Sequence, residues 1–328
     1  MTGTRMLGML QAMNEAFRQE MARDPEIVYL GEDVRAPARA ESAGLVDIFG
    51  RERVIDMPIS EAAMAGVGTG AAMAGARPIV AFQVTSLMFP AFDQLVNQAA
   101  KLPHMLGGQT RLPVTYIVLG SGARDGRAGQ HSDAPHAFLL HAGIKCVMPT
   151  TPHDAKGLTI AAIREDDPVA VFVPALAAAR QGPVPEEAYA LPLGQGAVRR
   201  PGRDVSVIAV GHHVLWALEV ADELAKTGVE VEVWEPRSLL PLDREGLLAS
   251  VRKTGRAVIL DDGNRTCGFA GELSAILAER CFGQLRAPVK RLTRSDIPIP
   301  YSRSIEQTAV PDAAKLKAAI AQVMAWRN

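Results

Sequence analysis

The sequence lacks most features that betray a function by composition. It has three cysteines, Cys146, Cys267 and Cys281, far apart in the chain. None forms a CxxC pair, so no disulfide framework and no cysteine-based zinc or redox motif is indicated. Cys146 lies in an apolar run and reads as core. Neither sign of charge dominates: 35 Lys and Arg against 36 Asp and Glu leave a net charge of −1. No sequence-wide attraction to nucleic acid or to an anionic membrane follows. Basic runs such as Arg199-Arg200 are too short to reverse that. The longest apolar stretch, around residues 62–76, is too short and too glycine-rich to span a bilayer. The N-terminus shows no basic segment followed by an apolar one, so no secretory signal is expected. The composition therefore predicts a soluble protein of a reducing compartment, the cytoplasm.

What is present is enough chain for two domains. The 328 residues are 48% hydrophobic, which suits a large core. Apolar positions recur at helical spacing over residues 5–22. Ile27 to Leu30 then reads as a buried strand ending in Gly31-Glu32-Asp33. Further strands are read at 53–56, 77–84, 113–119 and 145–149, with helices between them. Periodicity fades over 174–203, where Pro183, Pro185 and Pro192 fall, and a second series of strands and helices begins at Val205. The expected class is α/β, two domains with mainly parallel sheets flanked by helices. The expected boundaries are 1–185, a linker over 186–203, and 204–328.

One stretch organises the rest. After the strand Arg53-Val54-Ile55-Asp56, Pro58 and Ser60 signal a helix start, and small residues run on to Gly75. Glu61 is the one charged side chain between Asp56 and Arg77. A carboxylate in a first turn complements the helix dipole by roughly 0.3–1 kcal/mol, which is one reading of it. Gly66, Gly68 and Gly70 each cost a helix about 1 kcal/mol relative to Ala. Such a helix is expected where another backbone comes very close, with Glu61 near the seam.

Glu61, Gly66, Val67 and Gly70 fit a Glu-x4-Gly-apolar-x2-Gly pattern. This resembles the motif of thiamin diphosphate enzymes in their pyrimidine-binding domain. More closely, the chain resembles the beta subunit of the decarboxylase component of 2-oxo acid dehydrogenase complexes, of pyruvate, branched-chain and acetoin types. The likeness extends over Gly31-Glu32-Asp33, the helix at 89–101, the Gly-rich loop 120–132 ending in His131-Ser132, Pro236–Asp243 and Asp296–Tyr301.

The resemblance implies transketolase-like pyrimidine-binding and C-terminal domains, and it assigns roles. Glu61 would hydrogen-bond a ring nitrogen of the aminopyrimidine and favour its imino tautomer. Glu32, Ile59, Gln83 and Leu87 would line the cofactor. His131 would stabilise charge or supply a proton as an acyl unit moves to a lipoyl group. Backbone carbonyls of Val114, Ala162, Glu165 and Asp167 would hold a potassium ion. The polar stripe Asp93, Gln94, Asn97 and Lys101 would face a subunit contact. Plainer readings stand beside these: a loop acid for Glu32, a structural histidine for His131, a solvated helix end for Glu165 and Asp167. The loop 120–132 lacks a Walker ending and GxGxxG spacing, so it is a weak phosphate motif by itself.

The family binds the cofactor diphosphate through magnesium with a Gly-Asp-Gly and an Asn pair, and no Gly-Asp-Gly occurs here. The chain thus resembles half an active site. The expected partner is an alpha subunit in an alpha2beta2 heterotetramer, served by a lipoyl acyltransferase. The chain departs from the family at Leu87, where an aromatic is usual, at Ala81, where many relatives carry Glu, and at Ile117, where many carry Arg. These departures keep two other readings open. One is a split transketolase-like or acyloin-forming enzyme not coupled to lipoyl; the other is a non-catalytic beta-like subunit.

Overall fold

The computed structural model describes residues 4–123 and 126–327. The chain divides into two units. The first holds the residues up to Ser121 together with Phe138–Leu193, and the second holds Gly122–Ala137 and the residues from Gly194 onward.

The first unit contains strands β1 (Thr4–Gly8), β2 (Ile27–Glu32), β3 (Val54–Met57), β4 (Arg77–Phe82), β5 (Thr115–Ser121), β6 (Lys145–Val147), β7 (Val169–Pro174) and β8 (Gln181–Pro185). Six of them form one parallel array in the order β6-β7-β5-β4-β2-β3. Every residue of β5 and of β7 is buried. That is why these strands read as unbroken apolar runs: a parallel sheet is covered on both faces. Helix Met9–Arg23 buries Met9, Met13, Phe17 and Met21, four residues apart on one stripe. It packs on helix Pro152–Arg164, which starts with Pro152 after a Thr151 cap that accepts from the Asp154 N–H at 3.1 Å. Lys156 of that second helix is fully buried. Its ammonium donates to Glu15 at 2.6 Å and to the carbonyls of Pro185, Glu186 and Glu187.

Three local expectations are corrected. Residues 5–8 are strand β1 and not the start of a helix, because they pair antiparallel with β8. Part of the stretch read as aperiodic is therefore regular structure, although it carries Pro183 and Pro185. The segment at 89–101 is not one α-helix. Residues Gln94–Ala99 form wide turns, with the Ala100 N–H reaching back to the Leu95 carbonyl at 3.0 Å. Along it, Asn97 donates to Asp93 at 2.7 Å and Lys101 to Asn97 at 2.8 Å, which links most of the polar stripe to itself.

The second unit contains β9 (Ala197–Arg200), β10 (Val205–Ala209), β11 (Val231–Glu235), β12 (Ser238–Leu240), β13 (Ala257–Asn264) and β14 (Lys290–Arg294). Its sheet runs β14-β13-β10-β11-β9, parallel except for the edge strand β9. Strand β9 lies within the stretch read as a linker. Helices His213–Ala225 and Ala313–Ala325 contribute Val214, Ala217, Val220, Leu316, Ala319 and Ile320 to this unit's core. Among the described residues, no helix is long and apolar enough to cross a membrane.

Candidate functional site

Ligands in open parallel sheets bind beyond the carboxyl ends of the strands. In the first unit that edge gathers most of the residues singled out from the sequence. Strand β2 ends at Glu32, in register with Met57 at the end of β3. The chain leaves β3 through Ile59 and enters the helix Glu61–Met73 with Glu61 as its first residue. Strand β4 ends at Phe82, and the next residue, Gln83, donates its Nε2 to the Glu32 carbonyl at 2.9 Å. Leu87 follows in the tight turn Thr85–Met88 and is half-buried.

Glu61 is only 8% exposed, and among the described residues no hydrogen bond or ion pair holds its carboxylate. Its carboxylate is therefore open to a donor from outside the chain. Gln83 is buried too, and its Oε1 has no partner among the described residues. The Glu32 carboxyl is held above its ordinary range by burial, then by the neighbouring Asp33, against the pull of Arg39, with Glu61 adding to the rise. The edge thus offers two unsatisfied acceptors and a carboxyl that keeps its proton more readily than usual. It suits a ligand that brings N–H donors. Ile59 differs: it is 73% exposed.

The glycines of the helix separate by role. A Cβ on Gly68 would come within 2.5 Å of Val80 Cγ2, so the close approach is to β4 of the same chain. One on Gly66 would meet Gln94 Oε1 at 3.2 Å, and one on Gly70 would meet nothing within 4 Å. Ala62, Ala63, Val67, Gly70 and Met73 leave an apolar stripe exposed.

Two of the three departures are apolar core. Ala81 and Ile117 are fully buried and paired in register across β4 and β5. Three of the four carbonyls read as potassium ligands are already engaged: Val114 accepts from the Val169 N–H, Ala162 from Thr115 Oγ1, and Glu165 from Arg77. The side chains of Glu165 and Asp167 both hold Lys145. Ala162 also accepts from the Glu165 N–H at 3.3 Å, so its carbonyl is engaged twice, whereas Val114 and Glu165 each keep a second lone pair.

His131 falls in the segment assigned to the second unit, in a short turn Gly129–His131, and is exposed. Arg124 and Asp125 of the same loop lie outside the described residues.

The second unit has a polar group of its own that no sequence motif announced. Asp261 and Asp262 sit near the carboxyl end of β13, His212 and His213 follow the adjacent β10, and Arg294 ends β14. All five are buried, as is His136. His136 Nε2 lies 3.4 Å from Asp261 Oδ1. Arg294 donates to Asp262 Oδ2 at 3.1 Å, and the Ala123 N–H donates to the same oxygen at 2.6 Å. Burial alone would raise the Asp261 carboxyl; the charge of His136 and hydrogen bonds from it and from Gly263 hold it below its ordinary value. Burial depresses both His212 and His213, the latter strongly. Of this group only Asp262 falls near a recognisable pattern, Asp262-Gly263-Asn264, an approach to the absent Gly-Asp-Gly that lacks its context. The nearest available signal was a His-His pair directly after one strand and an Asp-Asp pair ending another.

Comparison with known proteins fits both units. Residues 5–179 match the family described as "Transketolase, pyrimidine binding domain", and residues 194–316 match "Transketolase, C-terminal domain". The acetoin:2,6-dichlorophenolindophenol oxidoreductase subunit beta of Bacillus subtilis is 39% identical, covering 95% of each chain. The 2-oxoisovalerate dehydrogenase subunit beta of the same organism is 38% identical, over 97% of this chain and 98% of its own. The mitochondrial pyruvate dehydrogenase E1 component subunit beta-1 of Arabidopsis thaliana is 37% identical, over 94% and 87%. A solved structure titled "Split gene transketolase, inactive beta4 tetramer" superposes with a TM-score of 0.79 at 20% identity, over 98% of this chain and 99% of that one, a likeness of fold. The chain belongs to the transketolase-like family that contains the beta subunits of 2-oxo acid dehydrogenases.

Proposed function

We propose that this chain is the beta subunit of a thiamin diphosphate-dependent 2-oxo acid dehydrogenase, working with an alpha subunit in an alpha2beta2 assembly. The observation that carries the reading is Glu61: a buried residue whose carboxylate no donor holds among the described residues, at the carboxyl edge of a parallel sheet that also carries the unsatisfied Oε1 of Gln83. Bound there, thiamin diphosphate would supply the electron sink that decarboxylation of a 2-oxo acid requires. Glu61 would accept a hydrogen bond from the cofactor's pyrimidine ring and bias its protonation. Gln83 would accept a second N–H, and Leu87 would pack on the ring face. Glu32, its carboxyl raised by burial and by its acidic neighbours, would line the same edge. His131, exposed at the end of a Gly-rich loop, would hold or move a proton as the acyl group leaves. Magnesium and the diphosphate would be held by the alpha subunit, since this chain has no Gly-Asp-Gly. A potassium ion at Val114, Ala162, Glu165 and Asp167 would use the free lone pairs of Val114 and Glu165 and would have to displace a donor from Ala162.

The relatives' names span acetoin, 2-oxoisovalerate and pyruvate. A second reading differs at the level of substrate, an acyloin such as the acetoin named for one relative in place of a 2-oxo acid. The acceptor is a lipoyl domain of an acyltransferase in the first reading. The test is reconstitution with an alpha subunit that carries Gly-Asp-Gly and an Asn pair. Pyruvate, branched 2-oxo acids and acetoin are each assayed with a lipoyl domain and with an artificial oxidant. The complex should turn over one of these classes, and the chain alone none. Robust turnover by the single chain, or a complex that binds no thiamin diphosphate, overturns the proposal.

A further inference from the structure

We infer that the second unit carries a buried transition-metal site of the zinc class, with His212, His213 and Asp262 as ligands. The inference does not depend on the proposed cofactor. One nitrogen of each imidazole and one oxygen of Asp262 lie within 4.8 Å of one another. All three residues are buried, His213 completely. Neither ring nitrogen of His213 has a hydrogen-bond partner among the described residues, and Asp262 Oδ1 has none either. His213 Nε2 stands 3.9 Å from that oxygen, beyond hydrogen-bond range. Buried polar atoms are nearly always satisfied, so unsatisfied ones converging from two adjacent strand ends call for a ligand. A cation satisfies imidazole lone pairs and a carboxylate oxygen together, which no single protein donor does here.

The donor chemistry selects the class of ion. Two imidazoles and one carboxylate suit zinc and its neighbours, not magnesium or calcium, which take oxygen ligands. Ligands at about 2.0–2.2 Å from tetrahedral zinc lie roughly 3.3 Å apart, so the site closes by small side-chain movements. The surroundings resemble an outer shell. Asp262 Oδ2 is fixed by Arg294 and by the Ala123 N–H, which leaves Oδ1 for the ion. Gly122, at a φ of +95°, lies so close that a Cβ there would fall 2.3 Å from Asp262 Oδ2 and 3.2 Å from His212 Cε1. Within this unit, then, the Gly-rich segment after β5 covers the group. The ion would tie β10, β13 and that segment together, a structural role with a fourth position for water.

The test uses the full chain, grown with zinc, dialysed and analysed for bound metal, with cobalt(II) as a spectroscopic probe on the stripped protein. Stoichiometric zinc is expected, with the visible absorption of four-coordinate cobalt. His213→Gln and Asp262→Asn should each weaken cobalt binding at least about tenfold, since even outer-shell changes cost roughly 10–100-fold. His153→Gln, on an exposed histidine elsewhere, should not. Should either site variant misfold, the wild-type chain decides alone: zinc should raise its melting temperature and magnesium should not. Substoichiometric zinc in folded wild type, no four-coordinate cobalt spectrum, or equal loss in His153→Gln overturns the inference.

Discussion

Replacing Glu61 with glutamine separates the catalytic role from the structural one. The side chain is buried and unpaired, so glutamine keeps the shape and removes the charge. On the structural side the loss is the dipole term, about 0.3–1 kcal/mol. Relief of repulsion with Glu32 opposes it, because Glu61 helps to raise the Glu32 carboxyl. The net change in stability should lie within about 1 kcal/mol, a shift of about 2–4 °C at most for a unit of this size. The Glu32 pKa should fall toward its ordinary value, since a like charge has gone. On the catalytic side, losing an acid–base partner costs typically ~10²–10⁴-fold in rate. At 1.36 kcal/mol per decade that is about 3–5 kcal/mol, several times the structural term. The assay is proton–deuterium exchange at the thiazolium carbon in the reconstituted complex, beside a melting curve. An unchanged exchange rate with an unchanged melting curve would leave Glu61 a dipole complement and refute the reading.

Three further outcomes are expected. Lys156→Met removes the donor to one carboxylate and three carbonyls; with Arg5 still on Glu15, urea unfolding should show a loss near 3 kcal/mol, the low end for breaking a buried pair. A loss under about 1 kcal/mol would mean that water replaces the ammonium there. Leu87→Asp should weaken thiamin diphosphate binding to the assembled complex, whereas Leu87→Phe should bind as well or better; equal affinity of wild type and the Asp variant by titration would place Leu87 off the ring. Exchanging potassium for lithium should lower the melting temperature if the carbonyls of Val114 and Ala162 hold the larger ion, and no shift would leave Arg77 and Lys145 as the cations of that corner.

How much was legible follows from what each feature depends on. Strands β5 and β7 were legible because burial on both faces demands unbroken apolar residues. Glu61 was legible because one charge in an apolar run stands out whatever the fold. Strand β1 was not: Met6, Met9 and Met13 continue a helical spacing, and only pairing with β8 makes residues 4–8 extended. Strand β8 was hidden by Pro183 and Pro185, which a strand tolerates at an edge, where β1 is its one partner in the described sheets. The histidine–aspartate group was illegible because no spacing encodes it. Parallel pairing of β10 with β13 brings Ala209 level with Leu260, and so sets His212 and His213 beside Asp262. Contacts of that kind are properties of the topology, and a motif search along the chain passes over them.

The glycines of the helix Glu61–Met73 show the same limit from the other side. Their spacing announced a close approach without saying to what. Gly68 answers within the chain: a Cβ there would strike Val80, so Gly68→Ala should destabilise the isolated chain despite the better helix propensity of Ala. Gly70 has open space around it, beside exposed Val67 and Met73. Gly70→Ala should therefore stabilise the isolated chain by about 1 kcal/mol, the ordinary gain at a helix interior. A glycine retained against that gain is explained if the stripe meets another backbone, as the obligate partnering proposed above requires. Gly70→Leu should then leave the single chain folded while blocking assembly with the alpha subunit, read as a change in complex size by sedimentation. If Gly70→Leu assembles and turns over as wild type does, the stripe faces solvent, and the close approach that the glycines encode is Gly68 on Val80 alone.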